Sequence, residues 1–536
     1  MTKLIGITVI AGTLLSGADI AGYRIRQHVK FLASDLLEGR GVGTRGGDLA
    51  TEYIATEFAL AGLKPAGDNH TFFQRVPLIG TAIQPSATLS ASGQGKEISF
   101  RWEDDFVGAA EQQKTNTTFD AEAIFVGHGI VAPEFQWDDY KGVDVKGKVV
   151  VLFTNEPTSE DPKFFGGKAL TYYGRWTYKY EEALRHGALA CIIIHTTPTA
   201  GYGWDVVRGS WGRETSYVKL APGEQGLALA AWISQDAGNK LLGMAGKSVD
   251  EMLKAIESRD FRPIPLGLRI RANLPAKVRE IESRNVAGLV EGSDPKLKSE
   301  VVIFSAHWDH LGVGKPVNGD AIYNGAVDNA TGCGVLIELA RAWAALPHKP
   351  KRSALFLSVT AEEDGLHGSE FYAMHPLIPP GKTAVDINYD ALYPFGRTRD
   401  VAVGGAERTT FYPVVEAVAK RVNLTIKPES HPEQGHYYRS DHFSMARVGI
   451  PAFSVSMGTE YAGKPADFSD KIFNDYNDKH YHAPSDEYHD DWDFAGMEQM
   501  AQFGFLLGLD AANLSTLPTW KPGDEFLAAR QKSGVK

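Results

Sequence analysis

From about residue 280 the chain alternates apolar runs with helical stretches, and this alternation restricts the fold more than any other feature. The segments 301–306, 332–345, 354–360, 369–374, 384–389 and 412–422 follow one another in this way, with a last apolar run at 450–455 and a closing helical pattern at 494–509. Strands that recur with a helix between them need crossover connections. The expected class is therefore α/β, with a mixed, mostly parallel sheet flanked by helices.

The region before 280 reads differently. Residues 20–63 carry two amphipathic helical patterns, Phe31, Leu32, Leu36 and Leu37 in the first and Tyr53, Ile54, Phe58 and Leu60 in the second, with Gly62 suited to a helix end. The glycine-rich stretch 38–47 between them lacks the Lys-Ser/Thr of a P-loop, so it reads as a loop rather than a phosphate cradle. Short alternating runs over 71–110 look like strands. A separate, β-rich pattern fills 118–270, with glycine-bounded runs at 121–126, 148–153 and 188–194 and no catalytic cluster.

At 536 residues the chain is long enough for two or three domains. The expected division is 1–18, 19–117, 118–270, 271–512 and a C-terminal tail at 513–536. Lys3, the apolar run 4–15 and the small residues Ser16, Gly17 and Ala18 match a secretory signal, which implies a mature start near Asp19 and a secreted or periplasmic protein; an ordinary first strand or helix is the other reading. No other stretch reaches the roughly 18 apolar residues of a membrane span. A net charge of −11 argues against a nucleic-acid partner. Only Cys191 and Cys333 are present, without a C-x-x-C pair, so a metal would have to be held by His, Asp or Glu.

Eleven of the 16 histidines lie from His307 to His489, which directs attention to that interval. Within it, polar groups cluster at or just past the C-terminal ends of apolar strands: His307 with Asp309, the pair Glu362 and Glu363, Asp390, and the Asp328 loop before a helix. That edge of an open α/β sheet is where ligands bind. Carboxylates packed together without a cation repel one another, so a bound metal is the economical explanation. In Ala306-His-Trp-Asp-His, His307 and Asp309 share a face if extended, letting the carboxylate orient the imidazole, while His310 reads as a bystander. Adjacent Glu362 and Glu363 point different ways, one able to bind metal while the other handles protons. Lys479-His-Tyr-His-Ala-Pro-Ser-Asp adds His482 beside the hydroxyl of Tyr481.

These five segments, in this order, resemble the co-catalytic di-zinc exopeptidases, the family of secreted bacterial aminopeptidases and glutamate carboxypeptidase II. The resemblance covers roughly 280–510. It implies two zinc ions per chain held by His307, Asp328, Glu363, Asp390 and His482, with Asp328 bridging, a metal-bridging hydroxide as nucleophile and Glu362 as general base. It also implies a cis peptide at Asp328-Asn329, a catalytic role for Asp309, an oxyanion contact from Tyr481, and substrate or supporting contacts from Arg439 and Asp441. The 118–270 region, through Gly187-Ala-Leu-Ala-Cys-Ile-Ile-Ile, is similar to the protease-associated domain inserted in this family.

The implied activity is that of an aminopeptidase acting on peptides. A carboxypeptidase is the alternative, for which Arg175, Arg208 and Arg213 are candidate carboxylate-binding residues if they face the site. A metal-free, receptor-like binding protein is a third reading.

Overall fold

The structure, a computed structural model, describes residues 19–535; the expected signal at 1–18 lies outside the described residues. The alternation over 301–359 folds as expected. Strands Val301–His307, Ser353–Val359, Thr383–Asn388 and Ala452–Ser454 run parallel, in the spatial order Ala452–Ser454, Thr383–Asn388, Val301–His307, Ser353–Val359. Both faces of these strands are buried, and successive side chains enter different cores. Val302, Phe304 and Ala306 pack against helices Gly22–Leu32, Arg45–Leu60, Thr331–Ala344 and Ala495–Asn513. Val301 and Ile303 face the opposite side, with Tyr372 of helix His367–Met374 and Phe443 and Met445 of helix His442–Arg447.

One long strand, Ile264–Val290, ties this layer to the rest of the chain. Its C-terminal part pairs antiparallel with Ser353–Val359 and with Phe73–Ile83. Its N-terminal part pairs with Asn116–Phe125 and Thr88–Gly93. From there a second group of parallel strands continues through Val149–Phe153, Ala190–Ile194 and Leu229–Ile233, closed by antiparallel Phe106–Ala109. Helices Gln235–Met244 and Val249–Ala255 cover one face of this group and Trp176–Arg185 the other. Strands Thr88–Gly93 and Phe106–Ala109 thus join the same body as residues 118–270, and position 118 falls inside strand Asn116–Phe125.

The N-terminal helices differ in detail from the periodic reading. Leu36 and Leu60 are 72% and 77% exposed. Leu36 sits in a tight turn, Asp35–Arg40, where Glu38 and Gly39 take left-handed backbone angles and break the helical period. Gly62, at φ 86°, ends the second helix as expected. The segment after residue 512 packs back on the molecule. Trp520 and Phe526 enter the core, and buried Arg530 donates to the carbonyls of Pro380, Thr383 and Pro518. Among the described residues no helix is long and apolar enough to cross a membrane.

Candidate active site

The C-terminal edge of the parallel strands carries the site. His307 is the last residue of Val301–His307 and is fully enclosed. Its Nε2 lies 3.3 Å from Asp328 Oδ1 and 3.2 Å from Asp390 Oδ1, the latter just past strand Thr383–Asn388. His482, in the loop after helix Phe468–Lys479, brings its Nε2 to 3.0 Å from Glu363 Oε2 and 3.6 Å from Asp328 Oδ2. The two oxygens of Asp328 therefore face two different imidazoles. Donor atoms of His307, Asp328 and Glu363, and of His307, Glu362 and Asp390, lie within 4.8 Å of one another in each group.

Asp328 is placed by a turn that begins at Gly325, with φ 57° and no room for a Cβ beside the Asp328 carbonyl and the His310 ring. The Asp328-Asn329 peptide is cis, as the resemblance implies. Asp486 fixes this turn by accepting from the backbone N–H groups of Val327 and Asp328, at 2.9 and 3.1 Å, and from the Tyr476 hydroxyl.

Burial raises Asp328, yet hydrogen bonds from His307 and His482 hold it well below the usual carboxylate range. Burial likewise raises Glu363, against which His482 and His310 hold it low. Glu362 goes the other way: burial and the neighbouring Glu363, Asp390 and Asp441 charges push it well up, with His307 opposing.

Three of the expected roles take a different geometry. The Asp309 carboxylate stands 3.9 Å from His307 Nδ1, within ion-pair range but beyond hydrogen-bond reach, and the Nδ1 meets the Asp309 backbone carbonyl at 3.2 Å instead. The carboxylate accepts from the N–H groups of Glu362 and Glu363, at 3.2 and 3.4 Å, so it shapes the turn that carries both glutamates. His310 is no bystander. It is buried, and its Nδ1 bonds Glu363 Oε1. Asp441 is fully enclosed beneath the site, with no hydrogen-bond partner on either oxygen among the described residues, and burial pushes it up to about 7. It does not line the cavity beside the site, whereas Arg439 does.

Two cavities meet over these residues. The larger, about 260 Å3, is bounded by Asp328, Glu362, Asp390 and, farther out, by Tyr393, Met457, Tyr461 and Phe473. The smaller, about 100 Å3, lies against Glu362 and Glu363 and is walled by Arg175, Tyr202 and Trp211. Arg439, Tyr481 and His482 border both. Tyr481 stacks on His482 with ring centres 3.9 Å apart, and its hydroxyl accepts from Arg439 Nη2 at 3.0 Å.

Sequence reasoning missed the contacts that come from far along the chain. Ser210, on helix Trp204–Trp211 of the second strand group, places its Oγ 3.1 Å from His482 Nδ1. Arg213 and Ser216 bind Asp364, next to the glutamate pair. Arg40 reaches beneath the site and donates to the backbone carbonyls of Leu32, Trp308, Asn324 and Gly325.

Residues 285–503, which include the histidines and carboxylates of the site, match the model of peptidase family M28. The chain carries a peptidase family M28 domain. Among solved structures, an aminopeptidase from Aneurinibacillus sp. strain AM-1 is similar at 20% identity, with a TM-score of 0.52 over 94% of this chain and 97% of that one, which supports the same fold. A zinc aminopeptidase from Bacillus subtilis matches over 95% of this chain and 98% of its own at 17% identity and a TM-score of 0.48. A probable zinc metalloprotease of Pyricularia oryzae (strain 70-15 / ATCC MYA-4617 / FGSC 8958) is 35% identical over 107 residues, a match that spans only 20% of this chain and 19% of the fungal protein. The M28 domain holds Asp309, His310 and Asp486 as well as the expected residues. Arg40, Arg175 and Ser210 lie outside it and reach its site from the rest of the fold.

Proposed function

We propose that this protein is a zinc-dependent aminopeptidase with two ions per chain. The observation that carries the reading is the placement of Asp328 between two imidazoles, one oxygen toward each. Imidazole nitrogens and carboxylate oxygens form a donor set suited to zinc. Five buried or half-buried carboxylates, Asp328, Glu362, Glu363, Asp390 and Asp441, face fewer imidazoles, an imbalance that divalent cations correct. In this reading His307, Asp390 and Asp328 would hold one ion and His482, Glu363 and Asp328 the other. Bound zinc supplies Lewis acidity and lowers the pKa of water toward neutrality.

The remaining chemistry belongs to the chain. Glu362 borders both cavities and takes the proton of the attacking water, then returns it to the departing amine. Tyr481, its oxygen fixed by Arg439, keeps its own proton free to donate to the carbonyl oxygen as negative charge develops there. Asp390 and Glu362 line the larger cavity and favour an ammonium there. The similar proteins reported above include an aminopeptidase and a probable zinc metalloprotease, in agreement with this assignment. The test compares a short peptide in free and N-acetylated forms. Release of the N-terminal residue from the first and no cleavage of the second is expected; equal cleavage of both contradicts the reading.

A further inference from the structure

His310 has no part in the chemistry of Glu362 and Tyr481, yet it is among the most tightly enclosed side chains at the strand edge. It stands just past strand Val301–His307, where its backbone N–H meets the Arg40 carbonyl at 3.4 Å. Its ring lies against the start of the turn that carries Asp328. A Cβ on Gly325 would sit 2.4 Å from that ring, so the two are in close contact and the ring has no room to shift toward the turn. The ring of His482 stands nearly perpendicular to it, with centres 5.8 Å apart.

Held there, His310 has a single polar side-chain partner. Its Nδ1 donates to Glu363 Oε1, since a carboxylate oxygen can only accept, while its Nε2 is buried with no hydrogen-bond partner among the described residues. The other oxygen of Glu363, Oε2, lies 3.0 Å from His482 Nε2. The Glu363 side chain is only 2% exposed, so water hardly competes for either oxygen. His310 itself belongs to neither of the two groups of donor atoms gathered within 4.8 Å, and the nitrogen that faces the site is already spent on Glu363. Asp390, the matching carboxylate of the other half, has no comparable brace. Its one hydrogen bond among the described residues goes to His307, and its side chain is 19% exposed.

We infer that His310 is a positioning residue for Glu363. By occupying Oε1 it leaves Oε2 as the oxygen turned toward the ion beside His482, and it ties this carboxylate to the same turn that supplies Asp328. The inference rests on the two-ion reading and goes beyond it, because it gives the two ions unequal support. A carboxylate free to rotate must be ordered when metal binds, at a cost in affinity; a hydrogen bond to its outer oxygen removes much of that cost. The effect of His310 therefore falls on one ion only.

The test titrates chelator-treated protein with zinc in competition with a chelating dye, so that both affinities are resolved. His310→Leu fills the space without a donor. It is expected to lower, by roughly 10- to 100-fold, the same one of the two affinities that E363Q lowers, and to leave the other within about twofold. H310S, too short to reach Glu363, makes the same comparison should H310L not fold. His310→Asn sets an amide nitrogen near the place of Nδ1 and is expected to bring the lowered affinity back to within roughly threefold of the unaltered protein. An equal loss at both ions in a folded H310L or H310S overturns the inference, as does a loss at the ion that D390N weakens, or an H310N that binds as poorly as H310L. Failure of the unaltered protein to take up two ions removes the two-ion reading and the inference with it; normal uptake with unchanged affinities in every His310 variant removes only the role of His310.

Discussion

At the scale of single residues the site depends on side chains whose partners are specific atoms. Glu362 and Glu363 share a turn capped by Asp309, yet Glu363 touches His310 and His482 while Glu362 faces the cavities. Glu362→Gln is therefore expected to keep its zinc and lose about 10²- to 10⁴-fold in turnover, whereas Glu363→Gln weakens zinc binding. Metal analysis beside steady-state kinetics separates the two; exchanged phenotypes would reverse their roles. Ser210 supports His482 through Nδ1. Ser210→Ala should lower zinc affinity or activity roughly 10- to 100-fold, measured by zinc competition with a chelating dye; no change in either would show that His482 needs no such support. The identities of His307, Asp328, Glu363, Asp390 and His482 stand out in the sequence because their chemistry needs particular side chains, at or just past strand ends for His307, Glu363 and Asp390, in the turn before helix Thr331–Ala344 for Asp328 and after helix Phe468–Lys479 for His482. Ser210 and His310 do not, because an ordinary serine or histidine gains its meaning only from what lies opposite it in space.

At the scale of elements, the turns beneath the strand edge decide where those side chains go. Arg40 sits in a glycine-rich loop that reads as featureless, but Gly39 there has φ 66° and a Cβ would lie 2.3 Å from the Tyr323 carbonyl. The loop is thereby pressed against the turn before Asp328, with the Arg40 guanidinium serving four backbone carbonyls. Arg40→Ala leaves the Leu32, Trp308 and Asn324 carbonyls without this donor, while Gly325 still accepts from the Ala330 N–H, at an expected cost of at least about 3 kcal/mol. Urea unfolding checks this, and a loss below about 1 kcal/mol would mean that water or a neighbour replaces the contacts. The parallel strands were legible because their apolar runs are short and continuous. Strand Ile264–Val290 was not: it serves two strand groups in succession, so the expected boundary at 270 falls within it. Asp309 misled for a related reason, since spacing places a carboxylate near its neighbour without fixing which hydrogen bond it makes.

At the scale of the whole molecule, the second strand group is part of the site and not only an appendage, because Ser210, Arg213 and Arg175 all reach the M28 domain from it. Stability should also vary with pH through buried groups away from the metal ligands. His28 is held near 4 by burial, below its ordinary 6.5, and meets the Tyr53 hydroxyl at 2.8 Å. The unfolded chain takes up this proton first, so stability present above pH 6.5 is lost as pH falls toward 4, by about 3 kcal/mol at most. His28→Gln should flatten that slope in urea midpoints measured between pH 4.5 and 7; an unchanged slope would assign it to other groups. The central claim is that paired metal ions bridged by Asp328 make the active form. Its most direct test is a zinc titration of chelator-treated protein, with cleavage of a free-amine peptide followed at each addition. Full activity only as zinc approaches two ions per chain is the predicted result, and full activity at one ion, or with none, would contradict it.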